Sequence, residues 1–416
     1  MTVALVDGNN FYASCEQLFK IALRGRPLVV LSNNDGCAIA RSAEAKALGV
    51  KMGQPAHELR GLIRSRGLRI CSANFALYGD MSHRMQAVLR DAVPRMEPAS
   101  IDESFLDLSG IRDRFAAMYA LRERLCKWTG IPNCIGIGPT KTLAKAGNKL
   151  AKRGPGVVDL SDTAARTTAL ADLPVGDVWG VGARWEAKLR ALGIDTAAAL
   201  RDASTELIGS RFGVVLARTQ RELQGHPCAG VEPEEPNRRQ IMVSRSFSAR
   251  VDDHTAVLEA MASFMVRAAE KMRGRGLAAG GVWIFANTDT FRPELRQHHP
   301  SRALSLATPT TDTRELLRAV RRLAANFLRA GCAYRRAGVA LLDLARVDCL
   351  QQDLFARHDG RDKLMPVLDA INRRFGRSTA GFGATGWRQA PVWRMRQSNV
   401  SAHYTTRWSD LPRAIC

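Results

Sequence analysis

Short, wholly apolar runs alternate along this chain with stretches in which apolar residues return every three or four positions. The first run, "TVALVD" (2–7), ends in Asp7. The turn residues Gly8, Asn9 and Asn10 follow, and Phe11, Cys15, Leu18 and Phe19 then repeat at helical spacing. Strand, turn and helix are predicted, with Asp7 at the carboxyl end of the strand, where open α/β sheets place their ligands. "RPLVVLSN" (26–33) predicts a second buried strand, and "AEAKALG" (43–49) a short helix stopped by Gly49. "VPRMEPASIDESFLDLSG" (93–110) reads as a hairpin, one strand on either side of Ala99 and Ser100. "NCIGIGPT" (133–140) predicts a strand leading into the helix "KTLAKAGNKLAK", where Lys141, Lys145, Lys149 and Lys152 share one face. A solvated surface would explain such a face equally well.

The pattern changes near residue 165. "LADLPVGDVWGVGARWEAKLRALGI" (170–194) holds a glycine turn at Gly180 and Gly182, then a helix through Trp185, Leu189 and Leu192, stopped by Gly193. This resembles a helix-hairpin-helix, whose glycine amides and helix N-terminus approach a DNA phosphate without reading bases. An ordinary helical hairpin would read the same way. "VEPEEPNRR" (231–239) is a proline-rich, charged linker. Beyond it, "QIMVSRSFSARV" reads as strand and 254–273 as helix through Val257, Met261, Phe264, Met265 and Ala268. "AGGVWIFANT" and "ALSLAT" are strands, 313–328 is a helix through Leu316, Val320, Leu323 and Phe327, and "RRAGVALLDL" is a last strand. The order β-α-β-β-α-β is a split βαβ module with one open sheet face, rich in arginine: a DNA platform or a plain structural module.

Composition narrows the partners. The 416 residues are 46% hydrophobic, enough for several cores, so the expected fold class is α+β with several domains. Sixty-one Lys and Arg against 40 Asp and Glu leave a formal charge of +21, which calls for a polyanion. Nucleic acid is favoured over an anionic membrane, because neither end carries a basic amphipathic helix. Nine cysteines, an odd number without a CxxC pair, argue against a disulfide framework and a zinc ribbon. The start lacks a basic n-region and cleavage site, and no uncharged run approaches the roughly 20 residues of a membrane span. A soluble, cytoplasmic and nucleoid-associated protein is expected. From 357 to 416 there are eleven Lys and Arg against four Asp and Glu, with glycines and polar residues that imply little core of its own.

Two adjacent acids, Asp102 and Glu103, interrupt the apolar hairpin. Near its bend strict alternation relaxes, so both carboxylates are expected to converge on one point. Together with Asp7 they would repel one another unless a cation sat among them, and histidine-free oxygen donors suit Mg²⁺. Two such ions about 3.5 to 4 Å apart activate an attacking hydroxyl and stabilise a leaving phosphate oxygen. Taken alone, the acid pair also fits a solvated turn.

Seven blocks in order, "DGNNFYASCE", "VVLSNNDGCAIARSAEAKALGVKMG", "YGDMS", "SIDESFLDL", "GIGPTKTLAKAGNKLAK", "LPVGDVWGVG" and "YTTRWSDL", resemble the Y-family translesion DNA polymerases from residue 3 to about 411. "SNNDGC" and "TTRWSDL" resemble the UmuC group within that family. The resemblance implies a right-hand polymerase. It places palm and fingers at 1–165, a helix-hairpin-helix thumb at 166–232, a linker at 233–239, a little finger at 240–346 and a basic C-terminal tail at 347–416. Asp7, Asp102 and Glu103 match the catalytic, metal-binding carboxylates, and the Gly8 carbonyl a further ligand of two Mg²⁺ ions. Tyr12, beside Phe11 in the substrate site, matches the aromatic gate that collides with a ribose 2′-hydroxyl. Lys152 matches a triphosphate lysine. Lys46 stands where relatives carry an arginine, and an ammonium lacks the bidentate fork. Gly180 and Gly182 match DNA-backbone contacts. Gln351, Leu354 and Phe355 of "QQDLF" match a peptide that docks on the sliding clamp, although Gln352 stands where many such motifs carry leucine.

The activity so implied is low-fidelity, DNA-directed DNA synthesis from dNTPs on primer-template DNA, in SOS mutagenesis and damage tolerance. The implied partners are the sliding clamp, a processed UmuD dimer and a RecA filament. Two rivals stand beside it. A metal-dependent nuclease would share the ions but have no use for triphosphate lysines or a sugar-sensing tyrosine. A noncatalytic DNA-binding scaffold would keep the charge and tolerate loss of the acids.

Overall fold

The computed structural model describes residues 2–233, 239–350, 364–376, 378–386 and 391–411. The chain forms two compact units, Met1–Glu235 with Ser398–Cys416, and Pro236–Gln397.

The first unit is built on β1 (Val3–Gly8), α1 (Phe11–Phe19), β2 (Leu28–Leu31), β3 (Ala38–Arg41), α2 (Ala43–Ala47), α3 (Arg60–Arg66), β4 (Arg69–Ser72) and α4 (Phe75–Ala92). The hairpin β5 (Met96–Pro98) and β6 (Glu103–Asp107) follows, then α5 (Arg114–Thr129), β7 (Asn133–Gly138), α6 (Lys141–Ala151) and β8 (Val157–Asp159). Its main sheet runs β5-β6-β1-β7-β8, with β1 antiparallel to both β6 and β7. The two middle strands β1 and β7 are buried at every position. That double burial is why their sequences read as continuous apolar runs rather than alternating ones. Ala4, Val6, Ile135 and Ile137 point into a core with α1, α4 and α5, whereas Val3, Leu5 and Phe105 face Ala144 of α6. A second sheet, β3-β2-β4, has its own small core around Val29, Leu31, Ala38 and Leu59.

Five short helices complete this unit: α7 (Thr163–Ala171), α8 (Ala183–Arg190), α9 (Ala197–Asp202), α10 (Thr205–Phe212) and α11 (Val214–Leu223). Their core, including Leu173, Leu189, Leu200, Ile208 and Leu223, is continuous with Leu143 and Ala146 of α6. The buried Glu222 carboxylate of α11 accepts from the Thr142 backbone N–H at 3.0 Å and from its hydroxyl at 2.5 Å, tying α11 to the first turn of α6.

The second unit comprises β9 (Ile241–Val251), α12 (His254–Arg273), β10 (Leu277–Thr288), β11 (Ser301–Thr310), α13 (Thr313–Leu323), β12 (Tyr334–Arg346) and α14 (Leu364–Phe375). The β-α-β-β-α-β order forms one antiparallel sheet, β11-β10-β12-β9. Val282 and Ile284 pack towards α12 and α13, and the alternate residues Trp283 and Phe285 lie against each other, with the Arg336 guanidinium 5.5 Å from the Phe285 ring. Helix α13 stops at Leu323, five residues short of the expected end. Asn326 takes a left-handed φ of 51° and turns the chain, so Phe327 reaches the core from a turn rather than from a helix.

Beyond residue 363 the described residues divide between the two units. Asp369 of α14 receives two hydrogen bonds of 2.7 Å from Arg273, and Trp393 meets Phe264 edge-on, both within the second unit. Residues 398–411 pack within the first. Gln351, Leu354 and Phe355, the expected clamp-docking residues, lie outside the described residues. All cysteines among the described residues are free, and no described helix is long and apolar enough to cross a membrane.

Candidate active site

The site is set by how closely α6 approaches the sheet. A Cβ on Gly136 of β7 would stand 2.0 Å from the Asn148 nitrogen and 2.1 Å from the Ala144 oxygen, both backbone atoms of α6. Only a residue without a side chain fits there. Gly147, on the helix side, lies 3.2 Å from the Gly136 Cα by the same measure, so two glycines meet back to back. The Asn148 side chain locks the contact by donating to the Cys134 carbonyl at 2.7 Å.

This close seat brings the lysine face of α6 onto acids. Lys141 meets Glu97 at 2.6 Å, Lys145 meets Glu103 at 3.1 Å, Lys149 meets Asp177 at 2.8 Å, and Lys152 meets Asp7 at 2.8 Å. Lys141 and Lys145 also lie over the Phe105 and Trp179 rings, at 5.1 and 4.8 Å. The solvated-face reading fails for Lys141 and Lys145, which are largely covered, whereas Lys149 and Lys152 meet their acids while still partly exposed.

Asp7 and Glu103 are opposite one another in the β1–β6 register, and the Gly8 N–H donates to the Asp102 carbonyl at 2.9 Å. Two distant parts of the sequence thus place three acids side by side. Asp7 is the most buried of them, and burial, with Asp102 and Glu103 nearby, pushes its carboxyl up to about 6 even though Lys152 pulls the other way. Asp102 accepts from the Ser100 hydroxyl at 2.6 Å. Among the described residues no three His, Cys, Asp or Glu side chains are arranged as a metal site. Lys152 and Lys145 pair with Asp7 and Glu103 at 2.8 and 3.1 Å.

The donor set nevertheless suits a hard divalent cation. Asp7, Asp102 and the Gly8 backbone border one cavity of about 340 Å³, which neither His nor Cys lines, and two ammonium groups already rest against the acids beside it. Phe11, Tyr12, Lys46 and Lys152 line the same cavity, so every residue expected to touch substrate is there; Glu103 stands beside it through its pairing with Asp7. Tyr12 stacks on Tyr78, ring centroids 4.4 Å apart and planes 16° from parallel, and Phe75 meets both edge-on. Burial, then Arg41 and Lys152, lowers the Lys46 ammonium.

Arg41, not singled out from the sequence, also lines the cavity at the end of β3. Its Nη1 donates to the Val50 carbonyl at 2.7 Å, and its buried Nε has no hydrogen-bond partner among the described residues. The alternation Ala38, Ile39, Ala40, Arg41 on a short strand was the available signal. Gly180 (φ +88°) and Gly182, the N-cap of α8, are exposed at the turn ahead of that helix and do not line the cavity.

The fold is that of a Y-family DNA polymerase. A Y-family chimera, Dbh–Dpo4–Dbh, superposes with a TM-score of 0.68 at 22% identity, and the insertion ternary complex of Dbh DNA polymerase with 0.57 at 20%; each match covers 83% of this chain and 100% of the other. Family models match in succession: the impB/mucB/samB family over 6–149, the IMS family HHH motif over 164–194, the impB/mucB/samB C-terminal domain over 238–354, and a domain of unknown function (DUF4113) over 362–414. Protein UmuC of Salmonella typhimurium is 43% identical over 420 residues and protein ImpB of the same species 42% over 422, with 99% of each chain covered. DNA polymerase IV of Moorella thermoacetica is 31% identical over 389 residues, 90% of this chain and 94% of the other. This chain belongs to the impB/mucB/samB family of Y-family DNA polymerases. The right hand of palm, fingers, helix-hairpin-helix thumb and split-βαβ little finger follows from that membership, as does an enzyme whose nucleotidyl transfer depends on divalent metal.

Proposed function

We propose that this protein is a low-fidelity translesion DNA polymerase that extends a primer with dNTPs across damaged template bases in SOS mutagenesis. One observation carries the reading: Asp7, Asp102 and Glu103 come together from distant points of the chain beside a cavity that also holds Tyr12, Arg41, Lys46 and Lys152. In the reaction, the primer 3′-oxygen bonds to the α-phosphorus of the dNTP, the bond to the bridging oxygen breaks, and pyrophosphate leaves.

Asp7, Asp102, Glu103 and the Gly8 carbonyl would hold two Mg²⁺ ions, which acidify the 3′-hydroxyl and offset charge on the phosphates. Lys152, Lys46 and Arg41 receive the triphosphate. Lys152, which pairs with Asp7 at 2.8 Å, would be freed to meet the phosphate oxygens if that carboxylate held metal. The Tyr12 ring, backed by Tyr78, lies under the sugar. The fingers sheet has three strands of four residues each, in keeping with the short fingers of the family, which would leave the templating base loosely enclosed and admit damage at the expense of fidelity.

Gly180 and Gly182 grip the DNA backbone, the little finger adds a second contact, and both weaken steeply with salt. The likeness to UmuC extends the proposal to a processed UmuD dimer and a RecA filament as partners, to the sliding clamp through Gln351, Leu354 and Phe355, and to a place in the cytoplasm on the nucleoid.

The test is primer extension on undamaged and abasic templates, with and without those partners. Extension requires Mg²⁺, stops on chelation with EDTA and resumes when Mg²⁺ is restored. Hydrolysis of a labelled strand without dNTPs, in place of extension, would make the protein a nuclease.

The gate is tested separately. Tyr12→Ala raises kcat/KM for a ribonucleotide relative to its deoxynucleotide by roughly 10- to 100-fold, equivalent to the about 1 to 3 kcal/mol that a forced steric overlap costs. Unchanged sugar discrimination in single-nucleotide kinetics would remove Tyr12 from that role.

A further inference from the structure

The C-terminal segment around Ser401 lies across the two helices that hold Tyr12 and Tyr78. It begins as an added strand: Val400 pairs in parallel with Ser72 at the end of β4, Ser72 N–H donates to the Asn399 carbonyl at 2.9 Å, and Asn399 N–H donates to the Ser72 hydroxyl at 2.9 Å. Asn74, which caps α4 by accepting from the Leu77 N–H, turns its amide nitrogen to the segment. It donates to the Ser401 hydroxyl at 3.0 Å and to the Ser401 and Ala402 carbonyls at 3.2 Å. Further on, the Tyr404 ring stacks on Phe19 of α1, 5.1 Å apart and 8° from parallel.

These contacts meet at one buried carboxylate. Glu16 of α1 is 1% exposed, and its Oε1 accepts from the Tyr78 hydroxyl at 2.7 Å and from the Ser401 hydroxyl at 3.0 Å. A buried carboxylate is costly unless its lone pairs are used, so both hydroxyls are held to that oxygen. Burial raises the Glu16 carboxyl, and the hydrogen bonds from Tyr78 and Ser401 oppose the rise. Tyr78 is therefore fixed at its far end by Glu16, and its face is what Tyr12 rests on. A ring that separates two sugars by a single oxygen atom works only if it cannot retreat, and misplacement by about 1 Å is enough to cost such a site roughly 10²-fold.

We propose that Ser401, through Glu16 and Tyr78, is a positioning residue for the sugar check at Tyr12. This gives part of the stretch that the family models match to a domain of unknown function a role in substrate selection. The inference rests on the reading of Tyr12 as the sugar gate. A segment that merely covered the β4 edge would add stability and leave selection untouched.

Single-nucleotide incorporation kinetics on the full-length chain separate the cases, with Tm recorded for each variant. Ser401→Ala raises the ribonucleotide-to-deoxynucleotide ratio of kcat/KM by roughly three- to tenfold, Ser401→Thr returns it to near the parent value, and Ser401→Ala adds nothing further in a Tyr12→Ala background. An unchanged ratio in Ser401→Ala, whatever its Tm, overturns the positioning role while leaving the gate standing. So does an effect that persists in full beside Tyr12→Ala. No response to Tyr12→Ala alone overturns the gate reading, and this inference with it. Should Ser401→Ala not fold, Tyr78→Phe, which removes the other hydroxyl from the same oxygen, enters the comparison in its place with the same expected and overturning results.

Discussion

Replacing Asp102 by alanine lowers primer extension by roughly 10³-fold or more, the equivalent of about 4 kcal/mol, while primed-template DNA is still bound within about twofold of the parent affinity. The side chain removed is half-buried and accepts from the Ser100 hydroxyl, so its loss leaves no buried donor without a partner. What joins this corner to β1 is the Asp102 backbone carbonyl, which accepts from Gly8 and is untouched by the substitution. The bound DNA is held by phosphate contacts spread over a chain of charge +21, of which this carboxylate is no part. Extension assays on a labelled primer and anisotropy of the same duplex read the two arms. A noncatalytic scaffold would extend no primer with or without Asp102, and extension that persists in the variant would remove Asp102 from the catalytic role.

Gly136→Ala has the largest effect on the fold. The added Cβ meets backbone nitrogen and oxygen of α6 at 2.0 and 2.1 Å, where no side chain can swing aside, so the helix itself must lift from the sheet. Lifting it breaks the Asn148 hydrogen bond to Cys134 and withdraws Lys141, Lys145 and Lys152 from Glu97, Glu103 and Asp7. A destabilisation above about 4 kcal/mol follows, which takes the variant into aggregates or shows as a deep fall in Tm. Gly147→Ala, whose Cβ meets its neighbours at 3.2 Å, costs less, about 1 to 3 kcal/mol. Urea denaturation of the two variants orders them. A Gly136→Ala midpoint equal to that of the parent would mean that α6 does not sit on β7 in this way.

Elements that bury a face of their own were legible in the residue pattern. β1 and β7 announce themselves as unbroken apolar runs because helices cover both sides, and the split βαβ module shows because helix and strand periods alternate cleanly through it. The acid trio was found by its cost: carboxylates among Ile101, Phe105 and Leu106 need a reason. Its arrangement was not found, because the partners of Asp7 and Glu103 are lysines on a helix more than forty positions further on, and nothing local in either stretch records the pairing. Residues 398–404 were hidden for the same reason. Asn399, Ser401 and Tyr404 form no periodic face; their meaning lies in Ser72, Asn74, Glu16 and Phe19, more than three hundred residues away. The end of α13 was misjudged since Phe327 keeps helical spacing although Asn326 has already turned the chain.

Because the chain leaves the first unit near residue 235 and rejoins it at Ser398, the second unit is an insertion and not an appendage. An appended module hangs by a single covalent thread, and one cut frees it. Here a nick at the second crossing leaves the module covalently tethered, and a nick at the first leaves it held through the returning segment, whose Asn399, Ser401 and Tyr404 pack on Ser72, Asn74, Glu16 and Phe19. The same closed circuit means that swapping this module between relatives takes two junctions, one at each crossing.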